Sequence, residues 1–337
     1  MFQKDINTTL VAQPLFWNEK VYVADYTGLV SCYNLKGKLL WDYDTFGDIT
    51  GKPSIIEDKL IVSTVQGELT ILDVNDGEQI ETIGFEEYLV APPVIFEHTG
   101  VKNLILPKQT QSNSAIIISS ATGKIYCYDL ETLQEIWTNN EATDMIETAP
   151  ILIGDQIIFE SWDTNLYSID ANNGSTIWKW QGNKSFYYAP AVCSPVHDGK
   201  YIYIATPDKM IYAIDLRLGT TKWKSDKFAA WESIGISKDT KELYVKSIED
   251  KFYIVASRNG NLSKTINVNY GLDTMPVTPF EWNDRIIFSS KNGNVSSLSV
   301  LILLPKFTGV DHMLLSPNFD TYKSEPPPLA CYFLDTF

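Results

Sequence analysis

The side chains able to do chemistry in this 337-residue chain are few and scattered. Cys32, Cys127, Cys193 and Cys331 show neither Cys-x-x-Cys nor Cys-His spacing. They therefore suggest neither a zinc site nor a disulfide framework and read as buried or inert thiols. A two-metal hydrolytic centre needs several His and Asp ligands close together, yet His98, His197 and His312 lie far apart, without an Asp-x-His or Gly-Asn-His context. A Gly-x-Ser-x-Gly elbow and a Gly-x-x-x-x-Gly-Lys-Ser/Thr loop are both missing, so hydrolase and kinase readings have no residues to stand on. The excess lies in aromatics, with nine Trp and 18 Tyr, which could form either a ligand platform or a packing device.

Charge narrows the partners. The formal net charge is −15, and only Arg217, Arg258 and Arg285 carry a guanidinium, so nucleic-acid binding through clustered cations is disfavoured. The acidic surface favours basic partners. The longest apolar run, residues 298–304, is far short of the roughly 20 residues that span a bilayer, so no transmembrane segment is expected. Residues 1–7 lack the basic and apolar regions of a signal peptide.

The aromatics recur in register. Tyr126-Cys-Tyr-Asp129 leads to Trp137, Tyr167-Ser-Ile-Asp170 to Gly174 and Trp178, and Tyr212-Ala-Ile-Asp215 to Gly219 and Trp223. The phrase from Gly28 to Trp41 has a turn one residue shorter, and the one from Gly67 to Gly77 lacks the Trp. With Gly28, Gly67, Gly123, Asn165, Lys209, Lys251 and Gly293 as marks, the steps are 39, 56, 42, 44, 42 and 42 residues. A period of about 42 residues is that of a four-stranded propeller blade. Pro14, Pro53, Pro92-Pro93, Pro150, Pro190 and Pro276, with Gly235 in the sixth place, set a second register before the first strand of each unit. The spacing predicts strands such as Ala149–Ile153, Gln156–Glu160, Leu166–Ile169 and Thr176–Trp180, separated by Gly, Asp and Asn turns.

The expected fold is all-β, a propeller of about seven four-stranded blades over residues 1–299, with the last blade incomplete and an eight-bladed ring as the alternative. Asp129, Asp170 and Asp215, with Gly174 and Gly219, shape the turn before the outer strand, where Trp41, Trp137, Trp178 and Trp223 are large plates that can pack on the adjoining blade. The 56-residue step holds a polar insertion at 97–114, expected as a loop between the first and second strands of the third blade. Residues 300–337 have no blade register and read as an irregular tail, either a non-native continuation or a truncated blade.

The Tyr-x-x-Asp-x-x-x-Gly-x-x-x-Trp phrase, as in residues 167–178 and 212–223, resembles the repeat of the pyrroloquinoline quinone (PQQ)-like β-propellers, a family of both quinoprotein dehydrogenases and cofactor-free scaffolds. The stretches 160–163 and 231–237 are also similar to propellers attached to bacterial calcineurin-like phosphoesterases. The resemblance implies an exported, periplasmic protein. A quinoprotein would be expected to carry an adjacent Cys-Cys pair, a calcium-binding set of Glu, Asn and Asp, and a catalytic Asp; no two cysteines here are adjacent. No cofactor, metal or catalytic residue is therefore expected, with PQQ plus calcium as the alternative.

What remains is binding at the channel mouth, where a polar-aromatic pocket would be lined by Lys52, Glu147, Trp162, Asp163, Tyr187, Tyr188, Trp231 and Glu232. Asp25, Asp163, Asp208 and Asp250 read first as solvated turn formers. The expected role is non-catalytic binding or scaffolding for a protein partner or small ligand. A quinoprotein oxidoreductase and an accessory module of a metallophosphoesterase, as a domain or a separate chain, are the alternatives.

Overall fold

The computed structural model describes Leu10, Ala12 and residues 14–97, 114–185, 189–268, 279–283, 285–289 and 295–299. They fall into two compact units, one running through Gly182 and one beginning at Asn183. The insertion at 98–113, with His98, and the tail at 300–337, with His312 and Cys331, lie outside the described residues.

The first unit contains four antiparallel sheets, each a simple meander. Their strands are Leu15–Trp17, Lys20–Ala24, Leu29–Asn34 and Leu39–Asp44; Ser54–Ile56, Lys59–Ser63, Glu68–Asp73 and Gln79–Gly84; Val94–Glu97, Ser114–Ser119, Ile125–Asp129 and Glu135–Asn139; and Ile151–Ile153, Gln156–Glu160, Asn165–Asp170 and Thr176–Gln181. The second unit has two four-stranded meanders, Val196–His197, Tyr201–Ala205, Ile211–Asp215 and Thr221–Ser225, then Ala230–Ile236, Glu242–Ser247, Lys251–Ala256 and Leu262–Asn267. It ends, among the described residues, on a three-stranded sheet of Phe280–Trp282, Arg285–Ser289 and Val295–Ser299. The chain is thus an all-β propeller with one repeat per sheet. Glu97 and Ser114 face each other across the first and second strands of the third sheet, so the long insertion joins those two strands.

One expected strand differs. Pro190 does not introduce an extended segment; Pro190–Val192 is a 3-10 turn, and the first strand of the fifth sheet shrinks to Val196–His197. A proline locks φ near the helical value and lacks a donor for a ladder, so it suits the first position of such a turn.

Sequence alternation becomes two-sided burial. In the second sheet Leu60, Val62 and Leu72 pack towards the first sheet with Val30, Cys32 and Trp41, whereas Ile61, Leu69 and Ile71 pack towards the third with Ile116 and Ile118. A strand places successive side chains on opposite faces, so a β-branched run fills two cores at once. Burying each such side chain contributes roughly 1.5–3 kcal/mol. Similar clusters join the third and fourth sheets, the fifth and sixth, and the sixth and seventh.

In each of the first six sheets the fourth strand carries one extra residue, a β-bulge, where the pairing shifts after Cys32, Ile71, Cys127, Ser168, Ala213 and Ile254 of the third strand. Opposite those residues stand Trp41, Glu81, Trp137, Trp178, Trp223 and Lys264. Three of these indoles cross to the next sheet. Trp41 Nε1 donates to the Val74 carbonyl at 3.2 Å, Trp137 to Ala171 at 3.0 Å and Trp223 to Ser257 at 2.9 Å. Each ring also lies over the glycine of the receiving turn, Gly77, Gly174 and Gly260. Trp178 is buried as well.

Candidate functional site

The loops that join the second and third strands are built alike. The amide of the first loop residue donates to the carbonyl four residues on: Asp25 to Leu29, Thr64 to Glu68, Ser120 to Lys124, Ser161 to Asn165 and Thr206 to Met210. The fourth loop position takes a left-handed backbone. Gly28, Gly67 and Gly123 fill it in the first three sheets, and a Cβ there would come within 2.4–2.5 Å of the carbonyls of Gly47, Glu87 and Ala142. Thr164, Lys209 and Asp250 hold the same conformation with side chains, at φ of 75°, 66° and 58°. A β-branched residue is strained there. Thr164 is anchored by Gln181 Nε2, which donates to its Oγ1 at 2.8 Å.

The acids of these loops hold the turns. Asp25 Oδ1 accepts the amides of Thr27 and Leu29 and the Thr27 hydroxyl. Asp163 accepts from the Asn165 and Thr143 amides, the Asn165 side chain and the Tyr167 hydroxyl. Burial opposes its ionisation, but the bonds from Tyr167, Thr143 and Asn165 outweigh burial and hold its carboxyl below the ordinary range. Asp208 repeats the device with Thr206, Met210 and Tyr212. Asp250 is exposed, in a loop whose carbonyl takes the Val268 amide at 3.1 Å.

Two of the expected mouth residues meet directly. Trp162 Nε1 donates to Glu147 Oε2 at 2.9 Å, tying the second loop of the fourth sheet to the segment entering its first strand. The Trp162 amide reinforces the link by donating to the Met145 carbonyl at 3.0 Å. Next to Glu147, Thr148 Oγ1 donates to Glu160 Oε2 at 3.1 Å. Glu160 ends the second strand, is fully buried, and its Oε1 has no partner among the described residues. Burial drives its carboxyl well above the ordinary range despite the bond from Thr148.

Sequence reasoning does not single out Glu160 as a site residue. Its signal is positional: pairing with the third strand puts Ala24, Ser63, Ser119, Ala205 and Lys246 at the same place in other sheets. Lys246 is also buried, which pushes its ammonium down to about 8.

Of the remaining mouth residues, Lys52 is the one whose side chain is among those described. Lys52 lies on the loop before Ser54, but the loop bonds align Thr50, Val90, Glu147 and Trp231 with one another, so Lys52 sits two places further on. Trp231 and Glu232 belong to the strand Ala230–Ile236, and their side chains lie outside the described set, as do Tyr187 and Tyr188 entirely. His197 is partly buried, which lowers its pKa. Cys32, Cys127 and Cys193 are buried on three different sheets or their approaches. Burial raises the thiols of Cys32 and Cys127. Among the described residues no helix is long and apolar enough to cross a membrane.

Comparison with known proteins agrees with this architecture. A PQQ-repeat family model described as outer membrane protein assembly factor BamB matches residues 4–80 and 105–180. The chain is 24% identical over 170 residues to the outer membrane protein assembly factor BamB of Shewanella oneidensis, covering 47% of this chain and 40% of that protein. It spans about half the length, or less, of the first curated relatives it matches. Among solved structures, BamB from Moraxella catarrhalis superposes with a TM-score of 0.67 at 16% identity, covering 86% of this chain and 85% of that one. The quinohemoprotein alcohol dehydrogenase ADHIIG of Pseudomonas putida gives 0.66 at 12% identity, covering 88% and 66%. Fold, repeat phrase and family match converge: the chain is a β-propeller whose repeats over residues 4–80 and 105–180 match the PQQ-like family.

Proposed function

We propose that this chain is a non-catalytic, protein-binding propeller that serves outer-membrane protein assembly in the periplasm. The observation that carries the reading is the use of the loop acids. Asp25, Asp163 and Asp208, expected as turn formers, are engaged in holding their own turns. A catalytic acid or base must be free to reach a substrate proton. The similarity to the BamB proteins supports assembly as the setting.

PQQ with calcium is a poor fit to the residues present. Cys32 and Cys127 lie on third strands of separate sheets, so they cannot supply a vicinal pair. Among the described residues no three His, Cys, Asp or Glu side chains are grouped to hold a metal ion. The test is a titration of the full chain with PQQ and calcium, followed by absorbance and by dye-linked alcohol oxidation. The expected result is no saturable signal; a saturable one would make the chain an oxidoreductase.

A further inference from the structure

The loops on one side of the first unit form a continuous hydrogen-bonded ribbon. The Thr45 amide donates to Gly28, Val65 to Asp48, Phe85 to Gly67 and Ala121 to Tyr88, at 2.7–3.0 Å. Along it three aromatic side chains stand in solvent: Phe46 at 89% exposure, Tyr88 at 64% and Tyr26 at 43%. Single exposed apolar residues are ordinary. Phe46 is not, because its backbone is left-handed at φ 57°, where a bulky side chain is strained. The loop fixes it there. Asp44 Oδ1 accepts the Phe46 amide at 2.7 Å, and Thr45 Oγ1 bridges the carbonyls of Gly28 and Gly47 at 2.9 and 3.0 Å. A ring that is both strained and almost fully hydrated gains nothing within its own fold. It has the form of an anchor whose backbone is set before a partner arrives.

Charge selects the partner. Asp44, Asp48, Glu86 and Glu87 lie on these loops; of the lysines beside them, Lys52 follows Asp48 by four residues, and Lys124 is already paired to Glu87, whose carboxylate Thr122 Oγ1 also bonds. An anionic bilayer or a nucleic acid would be repelled. From the strained, exposed ring and its acidic frame we infer that the ribbon 25–28, 44–48, 64–67 and 85–88 is a docking surface. Its occupant is a protein segment that offers apolar side chains flanked by Lys or Arg, with Phe46 as the principal anchor. The inference rests on the binding-propeller reading and deepens it.

The test uses the full chain and a short fluorescein-labelled peptide of alternating lysine and leucine, with a glutamate–leucine peptide as its counterpart. The lysine peptide should bind and weaken with salt. Phe46→Gly should weaken it about tenfold or more while raising the unfolding temperature, because glycine relieves the strained backbone. Phe46→Tyr should bind like wild type, and Ile177→Ser, on an outer strand of the same unit, should stay within about twofold. Equal binding by wild type and Phe46→Gly overturns the assignment, as does failure of the lysine peptide to bind. Self-association lost in Phe46→Gly would name a second copy as the occupant and overturn it too, and so would Phe46-dependent binding to phosphatidylcholine vesicles. Any of these results alongside a retained assembly-protein contact elsewhere on the chain rejects the ribbon alone. A saturable PQQ signal rejects the binding-propeller reading.

Discussion

Trp137 and Gly174 lie thirty-seven residues apart in sequence and in direct contact in space: the indole ring reaches within 2.5 Å of where a Cβ on Gly174 would stand. The same indole donates to the Ala171 carbonyl at 3.0 Å. The turn glycine is therefore needed twice, for its left-handed φ of 70° and for the close approach of the ring. Three glycines separate the two requirements. Gly174→Ala should destabilise the fold by about 2–4 kcal/mol, from backbone strain plus a clash with a packed ring. Gly154→Ala, at φ 60° with nothing within 4 Å, should lose only the backbone share of about 1–2 kcal/mol. Gly84→Ala, in open space without a positive φ, should be neutral within about 0.5 kcal/mol. Urea unfolding midpoints at constant m-value check the order.

Two of the six sheets lack the indole, the second with Glu81 and the sixth with Lys264. Glu81 occupies the tryptophan position of the second sheet, and the turn that would receive it carries Leu133, at φ 53°, in place of glycine. Leu133 packs against the buried cluster shared by the second and third sheets and so occupies the seat. Glu81→Trp alone should not stabilise the protein, because the seat is occupied. Combined with Leu133→Gly it should, giving a coupling of about 1 kcal/mol or more in a double-mutant cycle. Additive effects would mean that the two residues do not share a seat.

These repeat features were legible because each is local. An Asp and a Gly four residues apart make the turn between adjacent strands, and a Trp eight residues from the Asp marks the outer strand; both survive in the sequence as a phrase. The strain at Thr164 and Phe46 was not legible, since φ depends on which loops knit together and no residue type announces it. Glu160 was hidden for a different reason. At the end of an apolar strand an acid looks like a solvated strand end, and only the pairing with Leu166 reveals that its equivalents are Ala, Ser and Lys. The Glu147–Trp162 contact joins two residues already suspected of lining the mouth, but its hydrogen bond depends on a loop crossing that spacing does not encode.

Lys209 supplies a stabilising substitution. It is exposed, and its φ of 66° occupies the position held by glycine in the first three sheets. Lys209→Gly removes the left-handed penalty, partly offset by the greater freedom of an unfolded glycine, and should gain about 0.5–1 kcal/mol. A lower thermal unfolding midpoint would contradict the assignment of strain.

Glu160 should impose a pH dependence. An unfolded Glu loses its proton near about 4.3, while burial keeps the folded group protonated to higher pH. Above the unfolded value the unfolded chain binds fewer protons than the folded one. The stabilisation is thus complete below that value and declines as pH rises towards the folded pKa. The slope approaches about 1.4 kcal/mol per pH unit. Glu160→Gln carries no titrating proton, so its stability relative to wild type should rise steadily between acid and neutral pH. A difference that stays flat with pH would show that the folded carboxyl titrates normally.

The most direct test of the ribbon as the propeller's protein-binding surface is photo-crosslinking in the cells that make it, with benzoylphenylalanine at Tyr26, Tyr88 and, for comparison, Ile177. The expected result is a discrete adduct with an outer-membrane assembly protein from Tyr26 and Tyr88 and none from Ile177. Adducts absent from both ribbon positions, or equal at all three, would contradict it.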